Sequence, residues 1–219
     1  MFLIEKLSNT LAENISSSLN LDDNNKQIIA YGAFSFFQTL WAILFIVILS
    51  SIFNVLLQAL VLSFTASFLR KYSGGAHATS PNRCALIGGI IFTLLGKLVD
   101  KFTLMISIKN TSFILLISFL FSYFIVYKLA PVDSVAKPIK KEETRRKLKK
   151  KSIVLINLLL LLSITLLSFY HKFQISNLLI IVQCICLGAA WQSFTLTSVG
   201  HLLIRYIDLS IKNIFSRGE

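Results

Sequence analysis

Several stretches of this chain are apolar for the length of a bilayer crossing and almost free of charge, and that property leaves few folds open. They cover roughly residues 28–49, 51–69, 84–100, 111–129, 152–170 and 177–199. A run of about 20 apolar residues is enough to carry a helix across the hydrocarbon core. Inside lipid every backbone N–H and C=O needs an internal partner, which a helix supplies along its own length. With 55% hydrophobic residues, 15% charged residues and a mean hydropathy of +0.73, a soluble domain is excluded. The expectation is an all-α polytopic membrane protein of about six transmembrane helices, forming a single integral domain over residues 1–219.

Particular residues sharpen this expectation. Ser50 and Ser51 join the first two spans, which predicts a tight helical hairpin there. The third span is short, contains Gly88, Gly89 and Gly96, and ends at Lys97, Asp100 and Lys101. It reads as a short, re-entrant or broken helix. Ahead of the spans, residues 1–20 repeat Phe2, Leu3, Leu7, Leu11, Ile15 and Leu19 on one helical face. That pattern suits an amphipathic helix on the membrane surface, or equally one packed along the bundle. The early Glu5 and Glu13 do not fit a secretory signal. Residues 28–204 then form the bundle and 205–219 a tail.

The net charge of +12 reads chiefly as orientation charge, because Lys and Arg mark cytoplasmic loops. The segment 137–151, KPIKKEETRRKLKKK, opposes its basic residues with only Glu142 and Glu143. Placing it in the cytoplasm puts Arg70, Lys71, Arg83, Arg205, Lys212, Arg217 and both termini on the same side. The weaker Lys97/Lys101 and His171/Lys172 pairs fall opposite. In a chain this apolar, anionic lipid or an acidic peptide is a better partner for the excess charge than nucleic acid.

The stretch RKYSGGAHATSPNRC, residues 70–84, is the polar exception between two apolar runs. Ser80-Pro81 marks a helix start, so Cys84 falls in its first turns. There the helix dipole, together with Arg83 or Arg70, lowers a thiol's pKa. Gly74 and Gly75 allow the tight turn that brings His77 back toward Cys84. A Cys and a His within reach of one another are the minimal nucleophile and base for acyl transfer. As a metal site the pair lacks further ligands. Against this stands coincidence, since a His and a Cys seven residues apart occur in many chains. Cys184 and Cys186 lie in an apolar run and read as packing residues. Gln38, Asn54, Gln58, Gln183 and Gln192 read as hydrogen-bonding residues between helices or subunits. Asp133 reads as a turn or cap between Pro131 and Pro138, and His171 and His201 as interfacial residues.

The 70–84 stretch resembles the signature of the AgrB (accessory gene regulator B) family of bacterial membrane endopeptidases. The amphipathic start, APVDSVAKPI at 130–139 and AAWQSFTLT at 189–197 support the resemblance. It implies a membrane cysteine endopeptidase that removes the carboxy-terminal tail of a quorum-sensing propeptide. An acyl-enzyme then closes to a cyclic thiolactone or lactone peptide. By that resemblance Cys84 is the nucleophile and His77 the base, with Arg70 and Gly75 in support. It gives the basic run, through Arg145, Arg146, Lys149 and Lys150, the acidic tail of the propeptide to hold. It implies a homodimer with no cofactor and no metal. The competing readings are a non-enzymatic transporter or exporter of the peptide, and a lipid-modifying acyltransferase using the same pair. The charge-free spans argue against the transporter.

The orientation is directly checkable. A cysteine introduced at position 145 should resist an impermeant maleimide in intact cells and react once they are permeabilised. Labelling from outside would overturn the assignment.

Overall fold

A computed structural model describes residues 3–102, 107–133, 139 and 141–216. Among these the chain forms eight helices and no strands: α1 (Leu3–Leu19), α2 (Asp23–Ile52), α3 (Leu56–Ser73), α4 (Pro81–Lys101), α5 (Ile108–Leu129), α6 (Glu142–Phe173), α7 (Ser176–Phe194) and α8 (Ser198–Ser216). Four of them, α2, α5, α6 and α7, are long and apolar enough to cross a membrane. Helices α3 and α4 are 18 and 21 residues long. Each ends in or begins with charged residues that dilute its apolar content.

Helix α7 is the hub, with α3, α5 and α6 packed around it. Leu69, Phe119, Val126, Ile156, Val182 and Ile185 close the main core about it. A close approach between α3 and α7 requires Gly188, where a Cβ would stand 2.9 Å from the Leu62 carbonyl oxygen and 3.0 Å from Thr65 Cβ. Small residues allow this in lipid, where packing replaces hydrophobic burial as the force between helices. Polar pairs add to it: Gln183 Nε2 donates to Thr111 Oγ1 at 3.0 Å between α7 and α5. The outward faces remain apolar, with Phe113, Leu116, Leu120 and Phe124 on α5 and Leu158, Leu161 and Leu162 on α6 exposed. Apolar surface this continuous suits lipid and would not persist in water.

Several local features refine these expectations. The hairpin between α2 and α3 turns at residues 53–55, after the two serines. Ser50 and Ser51 lie inside α2, and their carbonyls accept from Val55 N at 2.9 Å and Asn54 N at 3.1 Å. Asn54 adopts a φ of 54° there, so it serves the turn rather than bonding between spans. Helix α4 is continuous through its glycines. Gly89 lies against Phe45 and Leu49 of α2, and Gly96 against Ala59 and Gln58 of α3, so close packing, not a break, explains them. Helix α1 packs along α2 and buries Ile4, Ser8, Ala12 and Ser16, leaving Leu7, Leu11 and Leu19 exposed. Phe2 lies outside the described residues. Helix α8 covers both the last residues assigned to the bundle and residues 205–216 of the expected tail.

Gly188→Val should lower stability by about 1–3 kcal/mol through overpacking. Gly32→Ala, with nothing within 4 Å of its Cβ position, should gain about 0.5–1 kcal/mol from helix propensity. Thermal unfolding in detergent compares the two. Equal midpoints would refute the close α3–α7 approach.

A candidate active site in the α3–α4 loop

The site is built on the loop between Ser73 and Pro81. Gly74 (φ 72°) and Gly75 (φ 131°) take backbone conformations that favour glycine. They also leave no room: a Cβ on Gly74 would lie 2.0 Å from the Val132 carbonyl oxygen, and one on Gly75 2.9 Å from Thr195 Oγ1. The backbone therefore crosses directly over the end of α7. Gln192 Nε2 donates to the Gly74 carbonyl at 2.8 Å and to Ser73 Oγ at 3.2 Å. Ala76 N donates to the Thr195 carbonyl at 3.3 Å, and the Arg70 guanidinium donates to the Ala76 carbonyl. From the other side Val132 N donates to the Ser73 carbonyl at 2.9 Å.

The second half of the loop is tied to α8. Asp208 accepts from Thr79 N at 3.0 Å, Thr79 Oγ1 at 2.7 Å and Arg83 Nε at 2.6 Å. Burial by itself would raise this carboxyl. The hydrogen bonds from Arg83 and Thr79, with the Arg83 charge, outweigh it and hold Asp208 below the usual carboxylate range. The carboxylate stays charged above its ordinary pKa, and the clamp is lost only as pH falls through the lower folded value. Ser80 takes the N-cap position of α4 without a side-chain capping bond, and Pro81 begins the helix. The Ser80 carbonyl accepts from Cys84 N at 2.9 Å, so Cys84 ends the first turn as the Ser-Pro signal predicts.

Cys84 opens onto a cavity of about 170 Å³ between α2, α3, α4, α7 and α8. Ile46, Ile87, Ile91, Phe92, Trp191 and Ile204 form its apolar walls; Ser67, Arg70, Gln192 and Thr195 are its polar members beside the thiol. Arg70 lies within electrostatic reach of Cys84. Of the two arginines considered from the sequence, Arg70 lines the cavity with Cys84, whereas Arg83 pairs with Asp208. His77 is exposed, and its neighbours Ala76 and Ala78, not the ring, line the cavity. Partial burial, and then the positive charges of Arg70 and His201, push His77 down to about 4. His77 is therefore a neutral base near pH 7. No His77–Cys84 hydrogen bond occurs among the described residues; such bonds often form only around bound substrate.

The remaining candidates are placed as follows. Arg145 pairs with Asp133 at 2.8 Å and donates to the Pro131 carbonyl at 3.1 Å. Asp133 thus fastens the turn to α6, while residues 134–138 lie outside those described. Arg146 pairs with Glu142 at 2.6 Å, Lys149 sits 4.6 Å from the centre of the Tyr127 ring, and Lys150 is exposed. Cys184 and Cys186 are fully buried free thiols. His201 comes within charge reach of His77, a proximity its position in sequence did not suggest. Asp208 was missed altogether. Its signal was a lone carboxylate on the helical stripe Ile204, Asp208, Ile211, whose isoleucines pack beneath the loop.

Residues 5–196 match the family model described as AgrB, accessory gene regulator B. A "Putative AgrB-like protein" of Clostridium perfringens (strain SM101 / Type A) is 42% identical over 207 residues, covering 94% of this chain and 97% of that protein. "Putative AgrB-like protein 2" of strain 13 / Type A is 41% identical over the same coverage. The "Accessory gene regulator protein B" of Staphylococcus intermedius is 29% identical over 151 residues, 69% of this chain and 71% of its own length. No solved structure matches the chain. The motif around Cys84 agrees with the family match over residues 5–196 and with the two Clostridium perfringens likenesses, and the chain belongs to the AgrB, accessory gene regulator B, family.

Proposed function

We propose that this protein is a membrane-embedded cysteine endopeptidase that removes the carboxy-terminal tail of a quorum-sensing propeptide and supports its cyclisation. The observation that carries the reading is Cys84, at the first turn of α4, opening onto an apolar cavity beside Arg70. His77 takes the Cys84 proton and Sγ attacks the scissile carbonyl carbon. The C–N bond breaks, the amine of the tail leaves with the proton from His77, and a thioester remains on Cys84. A thiol or hydroxyl of the propeptide then attacks that carbonyl. Cys84 departs as thiolate and recovers a proton, and the ring closes as thiolactone or lactone. Arg70 favours the thiolate at both ends of this sequence. The apolar walls hold water away while the reacting groups meet.

Tail recognition belongs to the same reading. An acidic tail has to compete with Asp133 for Arg145 and with Glu142 for Arg146. Its first contacts therefore fall on Lys149 and Lys150, which make no ion pair among the described residues. In the proposed orientation both termini and the basic run lie on the cytoplasmic side of the cell membrane, where the propeptide is made.

Cys84→Ala should abolish cleavage by the purified protein, whereas replacing Cys184 and Cys186 by Ser should leave most of it. Full cleavage by Cys84→Ala would sink the mechanism. The pH profile checks the base. His77 has a lowered pKa, so its neutral form is present above that value and is lost only as pH falls through about 4. Cleavage should then hold within about twofold between pH 5.5 and 7, and His77→Ala should lower it by about 10²–10⁴. An acid limb centred near the ordinary histidine value of about 6.5 would contradict that environment.

A further inference from the structure

Asp208 takes no part in the chemistry above, yet it is 3% exposed and accepts three hydrogen bonds. A buried carboxylate is costly unless every bond is used. All its donors belong to Thr79 and Arg83, within the five residues preceding Cys84. It also lies beyond residue 196, where the match to the family model ends.

We propose that Asp208 is a positioning residue for Cys84, seating the first turn of α4 against α8 and drawing the Arg83 charge away so that Arg70 is left as the thiol's cation. The proposal rests on Cys84 being the nucleophile. The geometry gives Asp208 two separable effects. Through Thr79 it fixes where the loop ends and α4 begins, and so where Sγ stands in the cavity. Through Arg83 it sets the local charge. One guanidinium favours the thiolate; a second facing it would weaken the nucleophile, because nucleophilicity falls as a thiol becomes more acidic. Among the residues lining the cavity Arg70 on α3 is the ionisable group beside Cys84; His77 in the loop and His201 on α8 lie within charge reach of one another, and Arg83 on α4 pairs with Asp208 on α8. Helices α2 and α7 contribute only uncharged side chains to the cavity wall.

Two measurements on the full-length protein in detergent test this. One is the pH midpoint of Cys84 alkylation by iodoacetamide, read by mass spectrometry of the peptide carrying Cys84. The other is kcat and KM for the propeptide. Asp208→Asn keeps an acceptor for Thr79 but loses the charge and frees Arg83, so the midpoint should fall. Its kcat should drop about 10–100-fold, the usual cost of removing the group that orients a reacting side chain, with KM within about twofold. Arg83→Gln leaves the Asp208 charge uncompensated and should raise the midpoint. The double variant should return it close to the original value. A merely structural clamp would move both single variants in one direction or neither, and either pattern overturns the proposal. If Asp208→Asn fails to insert, Arg83→Gln and Thr79→Val decide. A raised midpoint in the first and a lowered kcat with an unmoved midpoint in the second are expected; original values in both refute the idea. Cleavage lost in Cys84→Ala but unchanged in Asp208→Asn would remove this inference and leave the proposed function standing. Cleavage by Cys84→Ala would remove that function, while the midpoints would still report whether Asp208 sets the thiol's charge environment.

Discussion

Backbone that leaves a helix at the end of an apolar bundle must find hydrogen-bond partners elsewhere, and the architecture around residues 74–80 follows from that need. An unmet peptide group away from water costs about as much as the hydrogen bond it lacks. Here the carbonyls of Gly74 and Ala76 are taken up by Gln192 and Arg70. The amides of Ala76 and Thr79 are taken up by the Thr195 carbonyl and Asp208. The partners come from α3, α7 and α8, so those helices must converge on the loop. The convergence explains why a Cβ cannot fit at residue 75 and why Ile204 packs beneath Ala76. The cavity beside Cys84 is the space left among elements drawn together by backbone satisfaction.

Charge obeys the same economy. Two arginines flank the loop, and each has an occupation that keeps it in place. Arg70 donates to the Ala76 carbonyl while facing the thiol. Arg83 is held in an ion pair whose carboxylate is nearly inaccessible to water. Such a pair adds little net stability once desolvation is counted, but losing one partner is costly. In the proposed arrangement its value is in direction: it leaves Arg70 as the cation beside Cys84. The neutral state of His77 owes most to its partial burial, and the Arg70 and His201 charges add to it, since a nearby cation disfavours an imidazolium.

What the sequence made legible was local. Ser80-Pro81 located the start of α4 and hence Cys84, because N-terminal helix signals act within a few residues. Gln183 and Gln192 were recognisable as hydrogen-bonding residues because an amide inside an apolar run needs a partner. The choice between Arg70 and Arg83 was not legible, since it turns on a residue 125 positions from Arg83. The glycines of α4 misled for a related reason. Gly89 and Gly96 look like breaks until the neighbouring Phe45, Leu49 and Ala59 are in place. Helix α1 shows the converse: its leucines announce an apolar face, but its contact with α2 runs through Ile4, Ser8, Ala12 and Ser16. Small residues carry close helix contacts, and hydrophobicity patterns weight them least.

The cavity also bears on how the proposed acyl-enzyme would partition between ring closure and hydrolysis. Replacing one thioester by another is close to balanced, so the outcome depends on which nucleophile reaches the carbonyl. An ordered water needs two to four polar partners to settle in a protein interior. The polar groups near Cys84 are already engaged: Gln192 Nε2 with Gly74 and Ser73, Thr195 Oγ1 with the Gln192 carbonyl at 2.7 Å, and Arg70 with Ala76. Beyond these, Ser67 adds a single hydroxyl, and the rest of the wall is aliphatic or aromatic. A water beside the thioester would therefore be poorly held, whereas a side chain tethered to the acyl group arrives at high effective concentration. The bonds that satisfy the loop thus remove anchoring points for water, and this tilts the chemistry toward attack from within the substrate.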